Sequence, residues 1–101
     1  MSALRVEFLA EAVEEARAAR AWYAQRSIRA AVRFDDELDR AVEQIGVSPL
    51  RFPEYIYGTR RYLMYRFPYL VVYRIERERV EIVAVQHGRR RPGYWRERLG
   101  P

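Results

Sequence analysis

The run Tyr69-Leu-Val-Val-Tyr-Arg-Ile75, the charged tetrapeptide Glu76-Arg-Glu-Arg79 and the run Val80-Glu-Ile-Val-Ala-Val-Gln86 decide the fold. Both runs are dominated by β-branched and aromatic residues, which suit a pleated, largely buried surface. A link as short as Glu76–Arg79 joins antiparallel neighbours, because a parallel pair needs a crossover of about a dozen residues or more. Just upstream, Arg60-Arg-Tyr-Leu-Met-Tyr-Arg-Phe67 reads as a further strand, set off from Tyr69 by Pro68. Residues 60–86 are therefore expected to form an antiparallel meander.

Toward the N-terminus the periodicity changes. Leu4, Val6 and Phe8 alternate with Arg5 and Glu7, the period of a half-buried strand. From about Leu9 to Arg26, Ala12, Ala16, Ala19 and Tyr23 recur at helical spacing, widened by Leu9, Val13 and Trp22, with no Gly or Pro. Ser27 is the predicted break and N-cap. Ala31, Phe34, Leu38, Ala41 and Ile45 then give a second amphipathic stripe, Asp36 and Arg40 are spaced to pair, and Gly46 followed by Pro49 is a stop signal. So short a link makes the two helices an antiparallel hairpin. Residues 47–59 are an irregular aromatic connector crossing one edge. The expected fold is α+β, ordered β-α-α-β-β-β: an antiparallel sheet packed by one apolar face against an N-terminal helix hairpin, with the polar work on the other face. Residues 1–101 are expected to be a single domain.

Composition narrows the chemistry. No apolar run approaches the roughly 20 residues of a membrane span, and the first residues lack a signal-peptide core, so the expected location is cytoplasmic. There is no cysteine, which excludes disulfides and thiolate chemistry. One histidine without cysteine leaves no transition-metal site, no Gly-rich phosphate loop follows a strand, and no cofactor is expected. All nineteen basic residues are arginine, whose guanidinium stays protonated, so His87 is the one basic side chain suited to proton transfer near neutral pH. The charge is uneven: residues 1–50 carry a net −2 and residues 51–101 a net +7. A basic half points to nucleic acid or an acidic protein partner.

In that half, Arg60, Arg61, Arg66, Arg74, His87, Arg89, Arg90 and Arg91 interleave with Tyr65, Tyr69, Tyr73, Tyr94 and Trp95. Arginines with ring faces suit single-stranded RNA, where bases stack and phosphates pair. RNA cleavage without a metal needs a base, an acid and cations for the extra phosphate charge. His87 could be base or acid, Arg61, Arg89 or Arg90 could stabilise charge, and Tyr94 could orient or donate. The bland alternative places Tyr69, Tyr73 and Trp95 in the core.

The order of elements, with Trp22-Tyr23, Phe34, Leu38, Arg61, Leu63, Phe67-Pro68-Tyr69, Val71-Val72-Tyr73-Arg74, Ile82-Val83-Ala84-Val85 and His87-Gly88-Arg89-Arg90, resembles the RelE/ParE superfamily, the toxins of bacterial type II toxin–antitoxin modules. Pro92 and Tyr94-Trp95 extend the likeness. The resemblance implies a growth-inhibiting toxin neutralised by a cognate antitoxin that docks an acidic, partly disordered segment against the sheet and hairpin. RelE-like members cut mRNA on the ribosome; ParE-like members inhibit DNA gyrase. Leu70 stands where the RelE-like pattern has an arginine, which favours the ParE-like action. The alternatives are a RelE-like ribosome-dependent endoribonuclease using His87, Arg89, Arg61 and Tyr94, and a non-toxic relic that still binds antitoxin. For target or nucleic-acid contact the expected residues are Arg60, Arg66, Arg74, Arg90, Arg91 and Trp95.

Overall fold

The computed structural model describes residues 3–101. In chain order it holds β1 (Arg5–Phe8), α1 (Ala10–Ala24), α2 (Ile28–Val47), β2 (Arg60–Leu63), β3 (Tyr69–Glu76) and β4 (Arg79–His87), with single 3₁₀ turns at Ile56–Gly58 and Arg96–Leu99. The expected α+β order is present. The four strands lie β1-β4-β3-β2.

β2, β3 and β4 form the antiparallel meander that their short links require. β1 joins on the far side of β4 in parallel, Arg5 opposite Arg79 and Phe8 opposite Ile82. The sheet is therefore mixed, not antiparallel throughout. The crossover that a parallel pair needs is supplied by the helix hairpin and the first two strands of the meander. β4 becomes a central strand, and Val80 to Gln86 are buried without interruption.

The hairpin forms as its stripes dictate. Ser27, in extended backbone, accepts the Ala30 N–H on its hydroxyl at 3.2 Å and starts α2. Ala31, Phe34, Ala41 and Ile45 are fully buried, and Leu38 packs beside them. Ala12 and Ala19 of α1 are buried as well, and their small side chains let the helix lie close. Trp22 departs from its stripe: it is 50% exposed, with the Arg26 guanidinium 3.5 Å from its ring centre. Arg40 lies 4.0 Å from Glu37 rather than pairing with Asp36. Gly46 is also not a cap. It sits inside α2, where an added Cβ would stand 3.2 Å from the Leu4 carbonyl oxygen, while its own carbonyl accepts the Leu4 N–H at 3.0 Å. Close passage of β1 is the reason for a glycine there.

β2 is shorter than its sequence pattern. It ends at Leu63, and Tyr65, Arg66 and Phe67 belong to the turn before β3, with Arg66 at φ 69°. Glu54 bridges Arg60 on the outer edge of β2, so the connector does cross that edge.

Both faces of the sheet are buried, contrary to the expectation of one polar face. Val72 pairs with Ala84 and Tyr73 with Ile82, which leaves Val83 as an extra residue, a β-bulge in β4. The bulge shifts the inside–outside phase. Val80, Ile82 and Val85 face the helices with Val71 and Tyr73. Val83 and Ala84 face the other way with Leu70, Val72 and Trp95, under a layer made by Tyr55, Ile56, Tyr94 and Leu99. The chain after β4 folds back to supply that layer.

Candidate functional site: the basic segment after the last strand

β4 ends at His87, which pairs with Tyr69 at the start of β3; their rings meet edge to face at 5.0 Å. The Gly88 N–H donates to the Pro68 carbonyl at 2.8 Å, tying the segment after β4 to the turn before β3. The Arg89 N–H donates to His87 Nδ1 at 3.0 Å, so in the neutral ring the proton sits on Nε2. His87 and Arg90 border a cleft of about 450 Å³ whose walls include Ala18, Trp22, Tyr23 and Tyr69.

Beyond this point the tail is fastened by one carboxylate, Glu15 of α1. Its side chain is 15% exposed. Glu15 Oε2 accepts the Tyr94 hydroxyl at 2.5 Å and Arg98 Nη2 at 3.0 Å, and Oε1 accepts Arg98 Nη1 at 2.9 Å. Arg90 approaches Oε2 at 3.6 Å. Glu15 Oε1 also accepts the Val85 N–H at 3.0 Å, and Arg98 Nη1 donates to the Val83 carbonyl at 3.1 Å. These two contacts fall on the edge of β4 past the end of β1, where no strand is paired. The Glu15–Arg98 pair thus satisfies backbone groups that a neighbouring strand would otherwise meet. Burial, reinforced by the bond to Glu15 and its charge, raises the Tyr94 pKa far above the usual tyrosine range. The bond to Glu15 also raises Arg98, against the opposing effect of burial.

The sequence-derived candidates separate into held and free residues. Trp95 is fully buried and donates its Nε1–H to Gln86 Oε1 at 2.8 Å, so it is a core residue, not a contact surface. Arg74 binds Glu81 at 2.8 Å and the Leu99 carbonyl at 3.0 Å. Arg60 donates to the Phe52 and Leu50 carbonyls at 2.7 and 3.2 Å. Both arginines brace the fold rather than reach outward. The Arg61 guanidinium lies 5.2 Å from the Tyr55 ring centre, with its Nε buried and unpaired. Arg90 stacks on Tyr94 at 3.6 Å while facing Glu15. Arg66 is exposed, 5.1 Å from the ring of the exposed Tyr65. Arg89 and Arg91 are exposed and make no side-chain hydrogen bond or ion pair among the described residues. The structure therefore bonds the Arg89 backbone to the His87 ring while leaving the Arg89 guanidinium exposed, locks Tyr94 away on Glu15, and keeps Arg61 against Tyr55.

Glu15, Arg98 and Gln86 are the residues that sequence reasoning missed. Glu15 and Gln86 each carried a signal. Glu15 stands three residues after Ala12 and four before Ala19, so it borders the buried stripe of α1. Gln86 closes an otherwise apolar strand. Among the described residues no helix is long and apolar enough to cross a membrane, and no three metal-binding side chains gather.

A helix hairpin on a small mixed sheet, closed by a basic segment after the last strand, defines the RelE/ParE class of toxins. The chain matches, over residues 6–92, the family described as ParE toxin of type II toxin-antitoxin system, parDE. It belongs to that family: it is the toxin component of a type II system, with an antitoxin as its partner. A solved structure titled "Chromosomal ParDE TA system from P. aeruginosa" has the same fold, with a TM-score of 0.72 at 15% identity, covering 83% of this chain and 95% of that one. No curated protein sequence matches.

Proposed function

We propose that residues 1–101 act as one ParE-like toxin domain that arrests growth in the cytoplasm by inhibiting DNA gyrase, and that a cognate antitoxin neutralises it with an acidic, partly disordered segment laid against the sheet and hairpin. The observation that carries the non-catalytic reading is the covered sheet face. Leu70, at the position where a nuclease would present an arginine, is only 8% exposed and packs beneath Trp95. Tyr94, the proposed orienting group, is engaged by Glu15. An RNA phosphate would have to reach His87 and Arg89 without Arg61 or Tyr94 beside them. In this reading the exposed Arg66, Arg89 and Arg91 contact the target.

Induced expression separates the readings. We expect double-strand DNA breaks and inhibited supercoiling by purified gyrase, with mRNA intact and with toxicity preserved in His87→Ala. The RelE-like alternative rests on His87, which borders the cleft, with the exposed Arg89 two residues on. It requires mRNA cut at ribosome-bound positions, and a loss of roughly 10²-fold or more in cleavage rate on His87→Ala. That result would overturn the gyrase proposal. Absence of any growth defect would overturn both and leave an antitoxin-binding relic.

A further inference from the structure

Three stretches of the chain contain no carboxylate: residues 16–34, 55–75 and 82–96. Together they hold thirteen of the nineteen arginines and none of the fourteen acidic residues. The fold gathers their tips at one end of the sheet. Tyr23 and Phe34, on the helices flanking the hairpin turn, meet Phe67 in the turn before β3, with ring centres 5.0 and 5.3 Å apart. Phe34 also meets Tyr69 at 5.6 Å, and Tyr69 meets His87 at 5.0 Å. The hairpin turn, the β2–β3 turn and the segment after β4 are therefore neighbours around one aromatic cluster. The opposite end is charge-balanced: Arg79 pairs with Glu7 and Glu81, and Arg74 with Glu76 and Glu81. Of the acids that border the cationic end, Glu15 is engaged by Arg98, Arg90 and Tyr94, and Asp35 by Arg20 at 2.7 Å.

We propose that this cationic end is a binding face for the phosphate backbone of duplex nucleic acid, engaged by Arg29, Arg33, Arg66, Arg89 and Arg91. All five are exposed, and none has a side-chain ion pair or hydrogen bond among the described residues. They come from three separate elements, so they form a broad array rather than a slot. Duplex DNA carries one charge per roughly 1.7 Å of axis, so several exposed, unpaired guanidinium forks on one face can each meet a phosphate without any base contact. The half-exposed Trp22 and the exposed Tyr65 lie under the Arg26 and Arg66 guanidiniums within the same face. The face shares Arg66, Arg89 and Arg91 with the proposed gyrase contact, but the assay below contains no gyrase, so either idea can fail alone.

The test is fluorescence anisotropy of a short labelled duplex with the purified full-length chain, freed of antitoxin, over a range of KCl concentrations. The logarithm of the binding constant should fall linearly with the logarithm of salt concentration, with a slope of about −4.5. Arg66→Ala, Arg89→Ala and Arg91→Ala should each reduce that slope by about one, and Arg77→Ala, at the charge-balanced end, should leave it unchanged. Arg→Gln variants at the same positions replace any alanine variant whose circular dichroism differs from the parent. Failure to bind at low salt overturns the proposal. So does an Arg77→Ala loss equal to that of Arg89→Ala. Displacement of the duplex by polyglutamate as readily as by unlabelled DNA would assign the face to an acidic protein instead.

Discussion

On its helix side the sheet meets Ala31, Phe34, Ala41 and Ile45, all fully buried, and ring contacts that join Tyr23, Phe67 and Tyr69 to Phe34. On its tail side it meets Trp95, which is no less buried but is held by Gln86, while the tail around it is pinned by the Glu15–Arg98 pair, by Tyr94 on Glu15 and by Arg74 on the Leu99 carbonyl. The first layer is held by apolar area and close packing. The second is a thin segment held by a few directional, charge-assisted bonds. Apolar packing fails when volume is removed; a clamp of this kind fails when one partner is removed, because the others are left buried and unpaired. The two faces should therefore break in different ways.

The largest effect is expected on the helix side. Phe34→Ala deletes a ring that packs against three others, and should cost about 3–5 kcal/mol. Urea denaturation followed by far-ultraviolet circular dichroism should show one cooperative transition moved to lower urea, with helix and sheet lost together. If the helices melted ahead of the sheet, the helix-side layer would not be the shared core described above.

Much of that layer is legible in the sequence, because its signals are local. The stripes at Ala12–Tyr23 and Ala31–Ile45, the Ser27 cap and the alternating strands each state their own secondary structure within a few residues. The tail-side layer is not. Nothing near Val83 announces a bulge, since the bulge exists only in register with Val72 and Tyr73. Nothing in β1 says that it will lie parallel to a strand more than seventy residues later. Glu15 bonds Tyr94 and Arg98 across 79 and 83 residues. For the candidate site, His87 and Arg89 were readable as neighbours, but the arginines that brace the fold, Arg60 and Arg74, look identical in sequence to the free Arg66, Arg89 and Arg91. Their partners are backbone carbonyls and a carboxylate brought in by the fold.

A smaller and more local loss should follow on the tail side. Glu15→Ala leaves the Tyr94 hydroxyl and the Val85 N–H without their acceptor and Arg98 with only the Val83 carbonyl, and about 3 kcal/mol of destabilisation is expected. Glu15→Gln, which keeps an acceptor oxygen but removes the charge, should lose less. Hydrogen exchange locates the damage. Amides of residues 94–99 should exchange much faster while those of α2 change little, which is the signature of a layer released without global unfolding. Equal acceleration in α2 and the tail would show that the clamp is part of one cooperative core and would erase the distinction between the faces.

Alkaline pH probes both faces at once, since each holds a protonated tyrosine. Tyr73, in the helix-side core, has its pKa pushed up to about 12 by burial, partly offset by Arg60, and donates its hydroxyl to the Pro49 carbonyl. Tyr94, on the tail side, is raised in the same direction by burial and by Glu15. A tyrosine in the unfolded chain titrates near 10. Above that pH the folded chain binds the proton more tightly than the unfolded one, so stability falls as pH rises. The contribution is fully present below about pH 10 and is lost as pH climbs through about 12, with a slope approaching about 1.4 kcal/mol per pH unit for each such tyrosine. Urea midpoints measured from pH 9 upward should therefore drop, and Tyr73→Phe and Tyr94→Phe should each flatten the drop. The readouts should differ between them. Tyr73→Phe should flatten the loss of helix and sheet signal, whereas Tyr94→Phe should flatten the loss of the near-ultraviolet signal from Trp95, because that ring reports the tail. A pH-independent midpoint in the parent chain would mean that neither hydroxyl is held protonated by the fold, and the buried bonds to Pro49 and Glu15 would have to be redrawn.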